Sequence, residues 1–142
     1  MNNEPQRVWS MEDSPSADDL AIVQGGVRDW GRSQAAGGNP LPIACFVRER
    51  GEIVAGACGR TEFRRLFVTH LWVSEAIRGQ GIGTESLQRL ENAARNRGMT
   101  DSLIETLDER VSRLYRDLGY VEISVIHEYV GHFDKHVLVK IL

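Results

Sequence analysis

Apolar residues recur with two different periods along the chain, and the change of period predicts the elements. Leu20, Val23, Val27 and Trp30 fall at spacings of three and four, the period of one helix face. Shorter runs rich in β-branched and aromatic residues are typical of strands. Such runs occupy residues 6–11, 41–48, 52–61, 65–74, 101–107, 120–129 and 133–142. Helical spacing returns at residues 81–97 and 108–119, which completes the order β-α-β-β-β-α-β-α-β-β.

Local signals refine this order. Ser16, with Asp19 three residues later, predicts a helix start. Gly25-Gly26 predicts a bend or break in that helix, because each glycine costs about 1 kcal/mol relative to alanine. Arg50-Gly51 predicts a hairpin turn between two strands. A turn there would place Cys45 and Cys58 diagonally on one sheet face, as two reduced and packed thiols.

Hairpins mixed with strand–helix–strand crossovers predict the fold class. The pattern favours an α+β sandwich built on a mixed, mostly antiparallel sheet of about six or seven strands with helices on both faces. No linker or internal repeat divides the sequence, so a single domain over residues 1–142 is expected.

Composition and charge narrow the function. The chain has 142 residues, of which 42% are hydrophobic and 26% charged, with a net charge of −3. A negative net charge argues against nucleic-acid and membrane-surface partners, which need a basic face. The amino-terminal residues contain no apolar signal segment, so a cytoplasmic location is expected. An anionic ligand would have to be held by a local device such as backbone amides.

Residues 71–84 contain such a device. Their sequence is Leu-Trp-Val-Ser-Glu-Ala-Ile-Arg-Gly-Gln-Gly-Ile-Gly-Thr, a strand that enters a glycine-rich turn and then a helix. Free N–H groups and the positive end of the helix dipole make this a phosphate site. No lysine precedes Thr84, which excludes a Walker loop. A dinucleotide fingerprint is weak, because Thr84 takes the place of its last glycine and too few residues follow.

Two segments in order resemble the GNAT superfamily of N-acetyltransferases. Residues 78–83, Arg-Gly-Gln-Gly-Ile-Gly, resemble the family signature R/Q-x-x-G-x-G/A. Residues 114–120, Leu-Tyr-Arg-Asp-Leu-Gly-Tyr, resemble its later F/L-Y-x-x-L-G-Y/F segment. The element order is similar to that of the family along nearly the whole chain. Gly131-His132 and Lys140 resemble the C-terminal hairpin of one bacterial subgroup of this family. Residues 110–112 differ from that subgroup, which has a Gln-Ala-Pro run at this point.

The resemblance implies a GNAT-like fold, acetyl-CoA as co-substrate and a set of site residues. Amides around the turn would hold the CoA pyrophosphate, and the edge of the preceding strand would pair with pantetheine. These cofactor-binding residues are Leu71, Trp72, Val73, Arg78, Gly79, Gln80, Gly81, Ile82, Gly83 and Thr84. In the family the fourth and fifth strands splay to admit the thioester, and an N–H near Val73 would stabilise the oxyanion. Tyr115 resembles the general acid that protonates the departing thiolate.

The acceptor is expected to be an amine of a small molecule, attacked directly in a ternary complex. A base must first deprotonate the ammonium, and His70 and Glu105 are the candidates. His127, His132 and His136 lie near the last hairpin, but their spacing does not predict a metal site. Two other functions stay open: acetylation of proteins or peptides, and acetyl-CoA binding without turnover. Dimerisation through the C-terminal strands also stays open.

Overall fold

The computed structural model describes residues 3–35 and 38–142 of the chain. The chain divides into two compact units, Met1–Ala36 and Gly37–Leu142, and each is described by itself. None of the helices in the described ranges has the length and apolarity needed to cross a membrane.

The first unit is built on one helix, α1 (Ala17–Gln34). The hydroxyl of Ser16 accepts from the N–H of Asp19, which confirms the predicted helix start. The predicted break at Gly25-Gly26 is wrong, since α1 runs through both glycines without interruption. Glycine weakens a helix without removing its hydrogen bonds, so two glycines are tolerated inside 18 residues.

The predicted strand at residues 6–11 is also wrong, because these residues have no regular structure. Val8 and Trp9 are largely exposed, and no strand within the described ranges pairs with the segment. A strand pattern needs a neighbouring strand to satisfy its N–H and C=O groups, and a sequence pattern alone does not provide one.

The second unit contains a six-stranded sheet of order β1-β2-β3-β4-β6-β5. Its strands are β1 (Leu41–Glu49), β2 (Glu52–Glu62), β3 (Arg65–Val73), β4 (Asp101–Thr106), β5 (Val121–Val130) and β6 (Phe133–Ile141). Neighbours pair antiparallel except β3 and β4, which run parallel. The predicted α+β fold on a mixed, mostly antiparallel sheet is therefore confirmed.

Two helices of this unit pack on the sheet. The longer, α2 (Ile82–Asn96), contacts β1, β2 and β3, whereas α3 (Glu109–Asp117) contacts β4, β5 and β6. Both helices contribute to one apolar core, which includes Leu66, Leu87, Leu90, Ala94, Ile104, Tyr115 and Leu138. The core thus ties the two halves of the sheet to the helices that follow β3 and β4.

The hairpin of β1 and β2 turns at Arg50-Gly51 as predicted, but its register differs from the expected one. A bulge between Val47 and Arg48 shifts the pairing by one residue, so that Cys45 lies opposite Ala57 and Cys58 lies opposite Ala44. A shift of one residue moves side chains to the other face. The prediction that the two cysteines share a face is therefore wrong.

Candidate active site

The parallel pair β3 and β4 separates soon after it begins. Only three register pairs join them, from Arg65 opposite Asp101 to Phe67 opposite Leu103. The remaining six residues of β3 and three of β4 diverge from each other. The result is a cleft in the sheet whose walls are main-chain N–H and C=O groups, which can pair with an extended ligand.

A glycine-rich turn lies beside this cleft, between the end of β3 and the start of α2. A short 3₁₀ helix (Glu75–Ile77) leads into Gly79 and Gly81, at φ of 76° and 78°. Side chains other than glycine adopt such backbone angles only with strain, which explains both glycines. Gly83 serves packing instead, since a Cβ there would lie 3.2 Å from Cγ2 of Val73.

The turn presents unpaired donors. Within residues 3–35 and 38–142, the N–H groups of residues 80–84 have no hydrogen-bond acceptor, and the first bond of α2 runs from the N–H of Glu85 to the carbonyl of Gly81. These amides lie at the positive end of the helix dipole. The sequence-predicted residues Gln80, Gly81, Ile82, Gly83 and Thr84 thus place their free N–H groups together at the start of α2, an arrangement that suits an anion.

Arg78 connects the turn to the strand. Its Nε donates to the carbonyl oxygen of Val73 at 3.0 Å, and the part of the chain described here offers its terminal nitrogens no partner. The arginine therefore fixes the end of β3 while both of its terminal nitrogens keep their N–H groups available to an anion.

Side chains of β3 alternate across the sheet, with one interruption. Thr69 is bulged out between the pairs of Cys58 with His70 and of Gly59 with Val68, and its hydroxyl donates to the carbonyl of Cys58 at 3.1 Å. Beyond the bulge Leu71 packs on the core, so His70 and Trp72 point to the face opposite α2. His70 is exposed there and makes no side-chain hydrogen bond to any described residue.

Glu105 lies on the same face as His70, across the cleft on β4. Its neighbours Ile104 and Thr106 point the other way, towards the helices. The carboxylate of Glu105 is 2.8 Å from Nζ of Lys135, and this hydrogen bond raises the pKa of Lys135. Lys135 occupies one carboxylate oxygen of Glu105, so less of this group is free to meet an amine than the sequence alone suggests.

Tyr115 is placed in the core by α3. The residue is 4% exposed, and its ring lies 5.9 Å from that of Tyr120. Its hydroxyl has no hydrogen-bond partner in the described ranges. No fully buried side-chain oxygen there lacks a partner, so the hydroxyl is at least partly exposed. Burial raises the pKa of Tyr115 to about 12, so the phenol keeps its proton at neutral pH.

A polar cluster that sequence reasoning missed lies on the helix side of the C-terminal hairpin. Nδ1 of His136 and Oγ of Ser112 are each 2.8 Å from Oε2 of Glu122. The hydrogen bond from His136, followed by that from Ser112, lowers the pKa of Glu122. The three residues lie on β6, α3 and β5, and only the strand register reveals their contact; the sequence offers just a histidine with a carboxylate fourteen residues away.

His136 lies directly opposite Thr106, the last residue of β4. Its ring lines a cavity of about 340 Å³ between the start of α3 and the turn of the C-terminal hairpin. A second cavity of about 430 Å³ reaches Thr106 itself. The two share Leu107, Asp108 and Phe133, so His136 opens onto the same end of β4 that borders the cleft.

Comparison with known proteins decides the family. A sequence model described as "Acetyltransferase (GNAT) family" matches residues 3–120, which is well over half of the chain. The chain belongs to the GNAT family of acetyltransferases. The predicted family and the prediction of an N-acetyltransferase are thereby confirmed.

Similar proteins agree with this GNAT assignment. A blasticidin-S acetyltransferase of Streptomyces morookaense is 36% identical over 93 residues, which cover 65% of this chain and 68% of that protein. An acetyltransferase of Bacillus cereus ATCC 14579 has the same fold, with a TM-score of 0.86 at 21% identity over 94% of this chain and 98% of its own. A Bacillus anthracis protein solved in complex with acetyl coenzyme A has a TM-score of 0.63 at 14% identity, over 73% of this chain and 64% of its own.

Proposed function

We propose that this GNAT protein transfers the acetyl group of acetyl-CoA to an amine of a small molecule. The observation that carries the proposal is the cleft between β3 and β4, which runs into the free amides of the glycine turn. A cleft lined by main-chain groups suits the extended pantetheine arm. Free amides at a helix start suit its pyrophosphate.

The net charge of the protein supports a phosphate site built from backbone amides. Its net charge of −3 does not attract a phosphate ligand, so a local site must do so. Arg78 adds a formal positive charge at the turn, close in sequence to amides 80–84. Leu71, Trp72 and Val73 form the strand edge along which the pantetheine would lie.

Tyr115 would act as the general acid. As the amine nitrogen attacks the thioester carbon, the C–N bond forms and the C–S bond breaks, and the leaving sulfur needs a proton. A phenol with a pKa raised to about 12 is fully protonated at pH 7, so it carries the proton that the sulfur needs. Because a free thiol has a pKa of about 8.5, this transfer has to accompany the cleavage of the C–S bond and cannot follow it. An accessible hydroxyl on a buried ring is positioned by packing and can still meet a ligand.

The acceptor must lose a proton before it attacks. An alkylammonium has a pKa of about 10, so its free amine costs about 4 kcal/mol at pH 7. The name of the Streptomyces relative favours a basic antibiotic as acceptor, and the acidic protein suits a cationic substrate. Direct attack is proposed because Cys45 and Cys58 lie on β1 and β2, away from the cleft between β3 and β4.

Two measurements test the proposal. Calorimetry should detect coenzyme A binding, and thiol release from acetyl-CoA should appear with at least one of blasticidin S, kanamycin or spermidine. Gly81→Glu should abolish binding, because it strains the turn and places a carboxylate where phosphate lies. Gly98→Glu is the matched control, since Gly98 is also left-handed (φ 83°) but follows the other end of α2. Unchanged affinity in Gly81→Glu would contradict the assignment.

Turnover separates the remaining alternatives. Binding without thiol release for any amine or peptide would favour a non-catalytic acetyl-CoA module, and release with peptides alone would favour a protein acetyltransferase. The single domain, the cytoplasmic location and a homodimer stay predictions.

A further inference from the structure

We propose that His136, oriented by Glu122, is the general base that deprotonates the acceptor amine. The proposal rests on the acetyl-transfer function above and assigns one role within it. It replaces His70 and Glu105, the two candidates that the sequence suggests.

The hydrogen bonds of His136 fix which nitrogen is free. Glu122 is ionised, because its pKa is lowered, and a carboxylate can only accept. Nδ1 of His136, 2.8 Å from that carboxylate, must therefore donate. In the neutral imidazole the lone pair is then on Nε2, as a proton acceptor requires.

Nε2 has no hydrogen-bond partner among residues 3–35 and 38–142. No fully buried side-chain nitrogen in those ranges lacks a partner, so Nε2 is at least partly exposed. The ring as a whole is 8% exposed and lines the cavity of about 340 Å³. Because most of the ring is buried, Nε2 can take a proton from a molecule in that cavity while bulk water has little access to it.

The location suits acetyl transfer. His136 pairs with Thr106 across the sheet, which puts their Cβ atoms about 5 Å apart. Thr106 ends the strand that forms one wall of the cleft. An amine bound in the cavity therefore lies beside the end of the cleft proposed to admit the thioester.

The charged groups around His136 favour a cation. From β5 Glu122 faces it, with Arg116 of α3 acting on that carboxylate. The cavity itself is lined by three carboxylates, a guanidinium and a second imidazole, namely Asp108, Glu109, Asp134, Arg110 and His132. Arg110 is bound to Asp108 and Arg113 to Glu109, so these two acids are already neutralised. Among the described residues Asp134 is the cavity carboxylate with no lysine or arginine on it, and it is the group that attracts an ammonium, the form in which the acceptor arrives.

The protons balance as follows. Nε2 takes one proton from the ammonium, and the neutral amine attacks the thioester carbon. As the C–N bond forms and the C–S bond breaks, the phenol of Tyr115 gives its proton to the sulfur of CoA. The nitrogen loses its second proton to water, which restores the phenol, and the imidazolium of His136 releases the first proton to water.

Kinetics of His136→Gln test the role. We expect kcat/KM for the most active of blasticidin S, kanamycin and spermidine to fall by about a hundredfold or more. In a plot of kcat/KM against pH, the fall on the acidic side should flatten. The affinity for coenzyme A, measured by calorimetry, should stay unchanged. Glu122→Gln should lower kcat/KM less and move the acidic limb, because Glu122 acts only through His136.

His127→Gln is the matched control. Nδ1 of His127 also contacts a carboxylate, Asp134, at 3.2 Å, but its side chain is 80% exposed and outside the cavity. This variant should keep the wild-type rate and pH profile. Nitrogen NMR of the histidine rings gives a readout without turnover: His136 should carry its proton on Nδ1, and a proton on Nε2 at neutral pH would overturn the proposal.

Failure of this inference differs from failure of the proposed function. One outcome is that the wild type turns over an acceptor while a folded, CoA-binding His136→Gln variant keeps the wild-type rate and pH profile. That result would overturn the role of His136 as the base and leave the proposed function standing. A wild type that turns over no acceptor would overturn both.

Discussion

Nζ of Lys140 lies 2.8 Å from Oε2 of Glu91, whose side chain is 2% exposed. The other carboxylate oxygen accepts from the hydroxyl of Tyr120 at 3.3 Å, and that hydroxyl is 2.9 Å from Oγ of Ser102. These groups belong to α2, β6, β4 and the segment after α3. The cluster therefore ties the helix that follows β3 to the strands on the other side of the cleft.

Lys140→Met should destabilise the protein strongly. Removing one partner of a buried ion pair costs about 3–5 kcal/mol, and Arg95, 3.9 Å from the same carboxylate, should hold the loss near the lower value. Urea unfolding gives the free energy. The double variant Glu91→Gln with Lys140→Met should lose much less, because no buried charge is left alone; strictly additive losses would contradict this account.

Gly59→Ala should disrupt the pairing of β2 and β3. A Cβ at this position would lie 1.9 Å from the carbonyl oxygen of Phe67, a backbone atom that cannot move without opening the strands. We expect the free energy of unfolding to fall by about 3 kcal/mol or more, as in severe overpacking. Wild-type stability on thermal melting would show that the bulge at Thr69 can absorb the methyl group.

Gly25→Ala should have the opposite effect. A Cβ there meets no atom within 4 Å, and the position lies inside the continuous helix α1. Alanine should favour the helix by about 1 kcal/mol, visible as increased helical signal in far-UV circular dichroism. A decrease in helical signal would restore the break that the sequence predicts.

Some of the structural roles of glycine can be predicted from the sequence and others cannot. The glycines of residues 78–83 are predictable, because a strand, a turn and a helix start are local features of the sequence. Gly59 could not be assigned, since its need arises from Phe67 on the neighbouring strand. The same holds for Cys45 and Cys58, whose faces depend on a bulge that no local signal marks.

The candidate site divides in the same way. Tyr115 and the turn follow from motifs, whereas the contact of His136 with Glu122 follows from the pairing of β5 with β6. Register is set by packing over whole strands, and a one-residue slip reverses every face. Histidine and carboxylate positions along a sequence therefore do not identify such a pair.

Tyr115→Phe should lower kcat while leaving the KM for acetyl-CoA nearly unchanged. The loss of a general acid lowers the rate by about 10²–10⁴-fold, and phenylalanine preserves the packing of the ring. Steady-state thiol release measures both constants. Tyr129→Phe is the control, because Tyr129 is half exposed on β5, and equal rates in the two variants would remove Tyr115 from the mechanism.

Stability should decline at alkaline pH. Burial raises the pKa of Tyr115 to about 12 from 10.0, and burial also raises the pKa of Tyr120. The folded protein then holds more protons than the unfolded chain above pH 10, so stability is complete below about pH 10 and is lost as pH rises towards 12. Urea midpoints at pH 9 and pH 11 measure this loss, and Tyr120→Phe should reduce it whereas Tyr129→Phe should not.

The parting of β3 from β4 has an evolutionary consequence. A ligand that binds through main-chain hydrogen bonds does not depend on which side chains the strand carries, as long as the backbone keeps its conformation. The side chains along this strand edge can therefore vary without removing the N–H and C=O groups that a ligand would meet. Under the proposed function, a change of acceptor would need substitutions in the C-terminal hairpin and in the first turn of α3, which line the cavity beside His136. The acetyl-CoA site could stay unchanged.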